Sequence, residues 1–362
     1  MRLKMIVLGS AVLASTLMVA TMSAQQNPFV GRWNLVGTAP DTDKIYFLEV
    51  TQRDGQLDAI FLDRSAHATK VASIKVENGE LVFQKGAGEG TLDNPVRPCG
   101  PIYRAKLEGG KLVGQHTLPG ECAPAPGAAR AGGAPAAEPA APAKPVTVHW
   151  VGTRQPVWPY SNANGYHTYG KPVVLVGAGV GQEAWTGNSQ GNWQTKCENR
   201  WTFTNGTMAN TVGGRGESPT CNTYSKEKFK DFKAEAELLL DEGQNSGFYL
   251  RGRYELQLMV GSIGGVTAGR QSLGAIYGWK AADFYAGKPA GQWQTLEAIV
   301  VGNRVTAYIN GIRIHDNAEL PAFTGGALDN DELAPGPIMI QGDHSRVTFR
   351  KLVVTPITKA GA

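Results

Sequence analysis

Long helical periodicity is missing from this chain, which argues against a predominantly helical fold. There is no long basic run, and the formal net charge is only +4, so nothing in the electrostatics calls for nucleic acid. No CxxC or HxxxH spacing occurs, so zinc finds no sequence support. The one long apolar stretch, from Met5 to about Ala20, falls short of the roughly twenty residues a membrane span requires. No cysteine follows it closely, which leaves no lipid-attachment site.

What is present begins with that stretch. Arg2 and Lys4 precede it and TMSA follows it, the order of a secretory signal peptide over residues 1–24. The expected mature protein starts near Gln25 and is exported, periplasmic or secreted, with no transmembrane segment. Loss of Arg2 and Lys4 leaves a net charge of +2, close to neutral. All four cysteines survive cleavage, and an even count in an exported chain favours disulfides. Local pairing predicts Cys99 with Cys122 and Cys197 with Cys221, each loop contributing roughly 3 kcal/mol in the chain-entropy model.

The 46 glycines point to β structure with many turns. Residues 28 to about 120 read as short strands separated by Asp54-Gly55, Asn78-Gly79 and Gly109-Gly110, which is hairpin chemistry. This predicts a small antiparallel barrel or sandwich over residues 27–155, either closing around a ligand or serving as a scaffold. The Ala/Pro/Gly segment 123–145 cannot bury a core and is expected to be disordered. Val146–Arg154 reads as one more strand, a candidate to return to the first sheet. From Lys171 about ten further strands follow, with Asn205-Gly206 and Asn310-Gly311 as turns, implying two antiparallel sheets packed face to face. The fold class is therefore all-β.

The most informative run is Asn245–Gln257, NSGFYLRGRYELQ. Strand alternation puts Arg253, Glu255 and Gln257 on one face and Tyr254, Leu256 and Leu258 on the other. One face suits a core, while the other carries groups that bind and move protons. A merely solvated face is the plain alternative.

In order, Asp231-Phe232, Asn245–Gly247 with Arg251, Tyr254–Gln257, Gly274–Gly278, Gly291–Gln294, Asn310-Gly311 and Ile338–Leu352 resemble the 3-keto-disaccharide hydrolase family over about residues 171–356. Two positions depart from the family pattern. Met259-Val260 stands where an Asp is usual, and Gln294 where an Asn is expected. The resemblance implies a concanavalin-like jelly roll over residues 171–357 that cleaves glycosides already oxidised to a ketone at C3.

Such chemistry has definite needs. The ketone acidifies the C2 hydrogen, a base removes it, the C1 leaving group departs, and water adds back. The candidate base is Glu255, then His344. Arg251 is the candidate for enolate stabilisation, because a guanidinium keeps its charge and donates several hydrogen bonds. Asn245 and Gln257 are expected to hold sugar hydroxyls, with Tyr277 and Trp293 as stacking surfaces.

A conventional glycosidase would instead need a second carboxylate, for which Glu237 is the candidate. A lectin-like glycan-binding protein and a non-catalytic accessory protein are the other readings. The sequence specifies no cofactor; a divalent metal on Glu255, Gln257 and His344 is one option, and protein partners are not legible. Gly187–Gly191, GNSQG, fits the serine-hydrolase pattern GxSxG but lacks the strand before it and the helix after it.

Overall fold

The computed structural model describes residues 27–64, 67–86, 92, 100–118, 144–186, 197–211, 220–260, 269–342 and 346–361. The sequence expectations for Cys99, Cys122, His344, Gly187–Gly191 and nearly all of segment 123–145 lie outside the described residues. So does the expected leader.

The first unit holds β1 (Gly31–Gly37), β2 (Ile45–Arg53), β3 (Gln56–Asp63), β4 (Thr69–Lys70), β5 (Ser73–Glu77), β6 (Glu80–Gln84), β7 (Ile102–Glu108), β8 (Lys111–Leu118) and β9 (Val146–Arg154). They form one antiparallel sheet in the order β4-β3-β2-β1-β9-β8-β7-β6-β5. Its two ends meet. The Val71 N–H donates to Ala59 of β3 and the Ala72 N–H to Gln84 of β6, so the chain between β4 and β5 closes the sheet into a barrel. The tight turns behave as their residues dictate: Asp54-Gly55 and Asn78-Gly79 both take positive φ at each position. Inward residues fill the lumen with rings, Trp33, Tyr46, Phe61, Phe83, Tyr103 and Trp150 among them.

The second unit comprises β10 (Thr168–Tyr169), β11 (Val173–Val176), β12 (Trp185–Thr186), β13 (Trp201–Thr204), β14 (Thr207–Asn210), β15 (Thr223–Phe229), β16 (Phe232–Leu239), β17 (Asn245–Leu250), β18 (Tyr254–Met259), β19 (Gln294–Val301), β20 (Arg304–Ile309), β21 (Ile312–Glu319), β22 (Gly336–Ile340) and β23 (Val347–Lys359). A large sheet runs β13-β14-β23-β16-β19-β20-β21, with β10 and β11 also on β23, and a smaller one runs β12-β15-β22-β17-β18. Among the described residues the only helix is a single 3-10 turn, Gln182–Ala184. The architecture is the expected all-β jelly-roll sandwich.

Alternation builds its core. Phe232, Ala234, Ala236 and Leu238 of β16 and Phe248, Leu250, Leu256 and Leu258 of the small sheet belong to one buried cluster. The Cys197–Cys221 disulfide forms as expected.

Barrel and sandwich share that cluster. Ile45, Phe47, Leu62 and Ala68 from the outside of the barrel wall join it, and Phe47 meets Trp279 edge-on at 5.6 Å. Burial of each large side chain is worth about 1.5–3 kcal/mol, so the two units are welded by the same effect that folds each. A polar clamp adds to it. The buried Glu332 carboxylate accepts hydrogen bonds from Asn34 (2.8 Å) and Gln155 (3.0 Å) of the barrel side and from Tyr254 (2.9 Å) of β18. Desolvation raises the pKa of that carboxyl despite the three donors.

Candidate functional site

β17 and β18 pair in antiparallel register with Gly247 opposite Gln257 and Tyr249 opposite Glu255. Their core face takes Phe248, Leu250, Tyr254, Leu256 and Leu258. Their other face therefore carries Asn245, Gly247, Tyr249, Glu255 and Gln257. β22 and β15 extend this polar face with Met339 and Tyr224, which cluster with Tyr249. By the same alternation Gln341, one residue past the core residue Ile340, belongs to it. Gln341 is buried, and its Oε1 accepts no hydrogen bond.

Glu255 sits in the middle and is only 3% exposed. Its Oε2 lies 2.9 Å from the Tyr249 hydroxyl, which is also 2.8 Å from the Gly325 carbonyl. Its backbone N–H donates to the Thr324 hydroxyl at 2.9 Å. Room for the carboxylate comes from Gly247, where an added Cβ would stand 2.3 Å from Glu255 Oε1 and 2.7 Å from the Tyr249 ring. This is a physical reason for glycine in the NSG run. Next along β18, the Gln257 amide donates to Asn245 Oδ1 at 3.1 Å.

Segment 274–277 lies along the free edge of β18: the Tyr277 N–H donates to the Glu255 carbonyl and the Gly274 N–H to that of Gln257. Ile276 faces the core, and the half-buried Tyr277 has His67 of the barrel side edge-on at 6.3 Å.

The structure thus brings Glu255, Gln257 and Asn245 together, with the Tyr277 backbone beside them. It does not bring Arg251, Glu237 or Trp293 to them. Arg251 occupies a left-handed turn position with φ 56° and is fully buried at the end of the sandwich. Its guanidinium donates to the carbonyls of Lys230 and Gly302, pairs with Asp231 at 3.0 Å and covers the Trp158 ring. Fully buried, it holds loops and offers no exposed face to a substrate. Arg253, expected to share the Glu255 face, belongs to the same turn and is held by Asp329 and the Ala334 carbonyl.

Glu237 points outward from β16 on the other sheet, where Arg350 pairs with it at 2.5 Å and covers the Trp293 ring at 4.2 Å. A groove there is lined by Glu235, Glu237, Glu297 and Lys351, and its carboxylates meet Lys233, Arg350 and Lys351 in a paired charge ladder. Gln294, the departure from the family pattern, also works structurally. It is buried and bonded to Lys288 and Asn310, holding the loop before β19.

Tyr249 and Tyr224 were not singled out from sequence. Tyr249 was within reach, since it alternates with the apolar Phe248 and Leu250 inside the same informative run. Tyr224 and Thr324 carried no local signal, and Gln341 only its place within the stretch Ile338–Leu352. Among the described residues no group of three or more His, Cys, Asp or Glu side chains is arranged to hold a metal ion. No helix among them is long and apolar enough to cross a membrane.

Residues 178–355 match the family model described as a 3-keto-alpha-glucoside-1,2-lyase-like domain, and the resemblance read from sequence stands on that match. No curated protein matches the chain. Among solved structures, one candidate glycosyl hydrolase from Parabacteroides distasonis is 20% identical, covering 55% of this chain and 94% of its own, with a TM-score of 0.41. A second from the same organism is 19% identical over 52% of this chain and all of its own, with a TM-score of 0.39. A laminarinase from a Flavobacterium species is 9% identical over 52% and 99%, with a TM-score of 0.34. These are likenesses of fold alone.

Proposed function

We propose that this chain, whose residues 178–355 match a 3-keto-alpha-glucoside-1,2-lyase-like domain, cleaves the glycosidic bond of 3-keto-glycosides by elimination followed by hydration. The observation that carries the reading is the buried carboxylate of Glu255, in contact with the Tyr249 phenol on the polar face of the small sheet inside the matched segment.

Glu255 takes the proton from C2, and the electron pair forms the enolate with the C3 oxygen. The enolate then expels the C1 oxygen, which leaves with a proton, and the C1–C2 double bond forms as the ketone returns. Water adds to C1 while C2 regains a proton, giving net hydrolysis. Tyr249, in contact with Glu255, replaces Arg251 as the neighbouring donor in this scheme. Asn245 and Gln257 supply amides for sugar hydroxyls, and Tyr277 a ring face. A two-carboxylate mechanism gains no support, because Glu237 lies on the opposite sheet.

In this reading residues 171–357 are the catalytic domain, and residues 27–155 form a second domain set against it. Export belongs to the same proposal: the leader pattern and the Cys197–Cys221 disulfide both suit an oxidising compartment.

The test incubates the purified protein with a 3-keto-disaccharide and with its unoxidised parent. Release of monosaccharides from the first alone is expected, and Glu255→Gln should lower the rate by about 10²–10⁴-fold without loss of folding. Binding with no product would favour a lectin-like role, and an unchanged rate in the variant would place the base elsewhere.

A further inference from the structure

We infer that Gln341 is a further substrate-binding residue of the polar face, its buried side-chain carbonyl accepting a hydrogen bond from a hydroxyl of the sugar ring that Glu255 deprotonates. The inference rests on the reading of this face as the site. Gln341 follows β22 directly, and its N–H donates to the Gly247 carbonyl at 3.0 Å, so the pairing of β22 with β17 runs one residue further. Its own carbonyl accepts from the Ser246 hydroxyl at 2.8 Å. The backbone here is fully engaged, and any residue but proline would supply those two bonds.

The side chain serves no such purpose. Gln341 is only 8% exposed, and its Oε1 is buried without a hydrogen bond from the protein. A buried acceptor left without a donor costs stability. Other amides of the small sheet are engaged: Asn222 accepts the Gly342 N–H at 2.9 Å, and Gln257 donates to Asn245 at 3.1 Å. Among the described residues, Gln341 Oε1 is the one such orphan on or directly beside a strand of this sheet. An apolar side chain would extend the neighbouring cluster of Tyr224, Tyr249 and Met339 and carry no such cost.

Its place explains the exception. The continued register sets Gln341 opposite Gly247, and the Glu255 carboxylate lies over that glycine, 2.3 Å from where a Cβ would stand. Opposed positions are about 4.5–5.5 Å apart at Cβ, so the amide springs from the sheet one strand away from the carboxylate. A pyranose ring over the pair meets the base and a hydrogen-bond acceptor side by side. Each ring hydroxyl is a donor. A carbonyl that gains its donor only when the ring is bound selects for the sugar that carries the hydroxyl and rejects one that lacks it.

The test titrates methyl α-glucoside and its 2-deoxy, 4-deoxy and 6-deoxy forms into the full-length protein and into Gln341→Met. The variant should bind methyl α-glucoside about tenfold more weakly. One deoxy sugar should bind the parent protein that much more weakly and lose nothing further in the variant. With 3-keto-disaccharide, KM should rise about tenfold with a far smaller change in kcat, as for a bond made equally in the ground and transition states. Without sugar, the variant should unfold at the same or a higher denaturant concentration, because the fold loses a buried acceptor and no bond.

Lower stability of the variant without sugar overturns the inference, since the amide would then be serving the fold. Equal affinity of parent and variant overturns it too, and is the result expected if an ordered water that the sugar leaves in place serves Oε1. So does the absence of any coupled deoxy sugar, or a parent that neither binds the glucoside nor turns over the ketone. Should Gln341→Met fail to fold, Gln341→Leu carries the same measurements, and failure of both gives the amide a structural part and overturns the inference as well. Weakened glucoside binding in a protein inert toward the ketone would sink the proposed reaction and leave the role of Gln341 intact. Turnover with an unmoved KM would do the reverse.

Discussion

The barrel lumen and the polar face of the small sheet are both enclosed surfaces of curved antiparallel sheets, yet they are filled in opposite ways. In the lumen rings pack on rings: Phe83 stacks on Tyr103 at 4.8 Å, and His116 stacks on Tyr103 at 4.3 Å. The lumen histidine has an Nδ1 with no hydrogen-bond partner, and burial lowers its pKa to about 4, so it is kept as a neutral ring. On the sheet face a glycine leaves the space, and a carboxylate leans into it against a phenol. In the proposed function this face can carry chemistry because polar groups are left facing one another on it. Filled with aromatic side chains, the same geometry becomes a core.

The largest expected effect that would separate the two regions is on stability. Phe83→Ala should cost about 3–5 kcal/mol in denaturant melts while kcat toward a 3-keto-disaccharide stays unchanged. Arg251→Met should divide the same way, since its guanidinium holds Lys230, Gly302 and Asp231 and not the site. A selective loss of kcat in either variant would break the comparison.

Next comes Gly247→Ala. Its methyl must displace Glu255 Oε1 or the Tyr249 ring, and a misplacement of about 1 Å costs on the order of 10²-fold in kcat with stability changed far less. A fully active alanine variant would mean that the carboxylate position is irrelevant.

The smallest effect concerns pH. His116 in the lumen and His315 in the sandwich are both buried with pKa values near 4, against 6.5 for the free side chain. Each binds its proton more readily when unfolded, so each contributes stability that is complete above pH 6.5 and is lost as pH falls toward 4. His116→Phe should flatten part of that slope in thermal melts between these limits and leave the part due to His315. A slope identical to the parent would show that the lumen histidine does not carry this dependence.

Much of the fold was legible locally. Asp54-Gly55, Asn78-Gly79, Asn205-Gly206 and Asn310-Gly311 each adopt the paired positive φ that a two-residue hairpin needs. Period-two alternation in YELQL was enough to separate Leu256 from Glu255 and Gln257, because side-chain direction in a strand follows from backbone geometry alone. Arg253 was misplaced for an equally physical reason. Alternation holds only inside a strand, and Arg251 and Arg253 lie in the turn between β17 and β18, where side chains leave the sheet. Glu237 and Trp293 were misplaced because face-to-face sheets present four surfaces, and a strand pattern does not say which outward surface it joins.

What the chain determined by itself was therefore strand, turn and face: an all-β protein with an acid and an amide on the side of β18 turned away from the core. Their company was decided only when distant segments met. Tyr249 reaches Glu255 through strand pairing, Tyr224 comes from β15, and Gln341 follows directly on β22. Such contacts depend on the burial of shared apolar surface such as Phe47 against Trp279, a sum over both units that no local stretch of sequence contains.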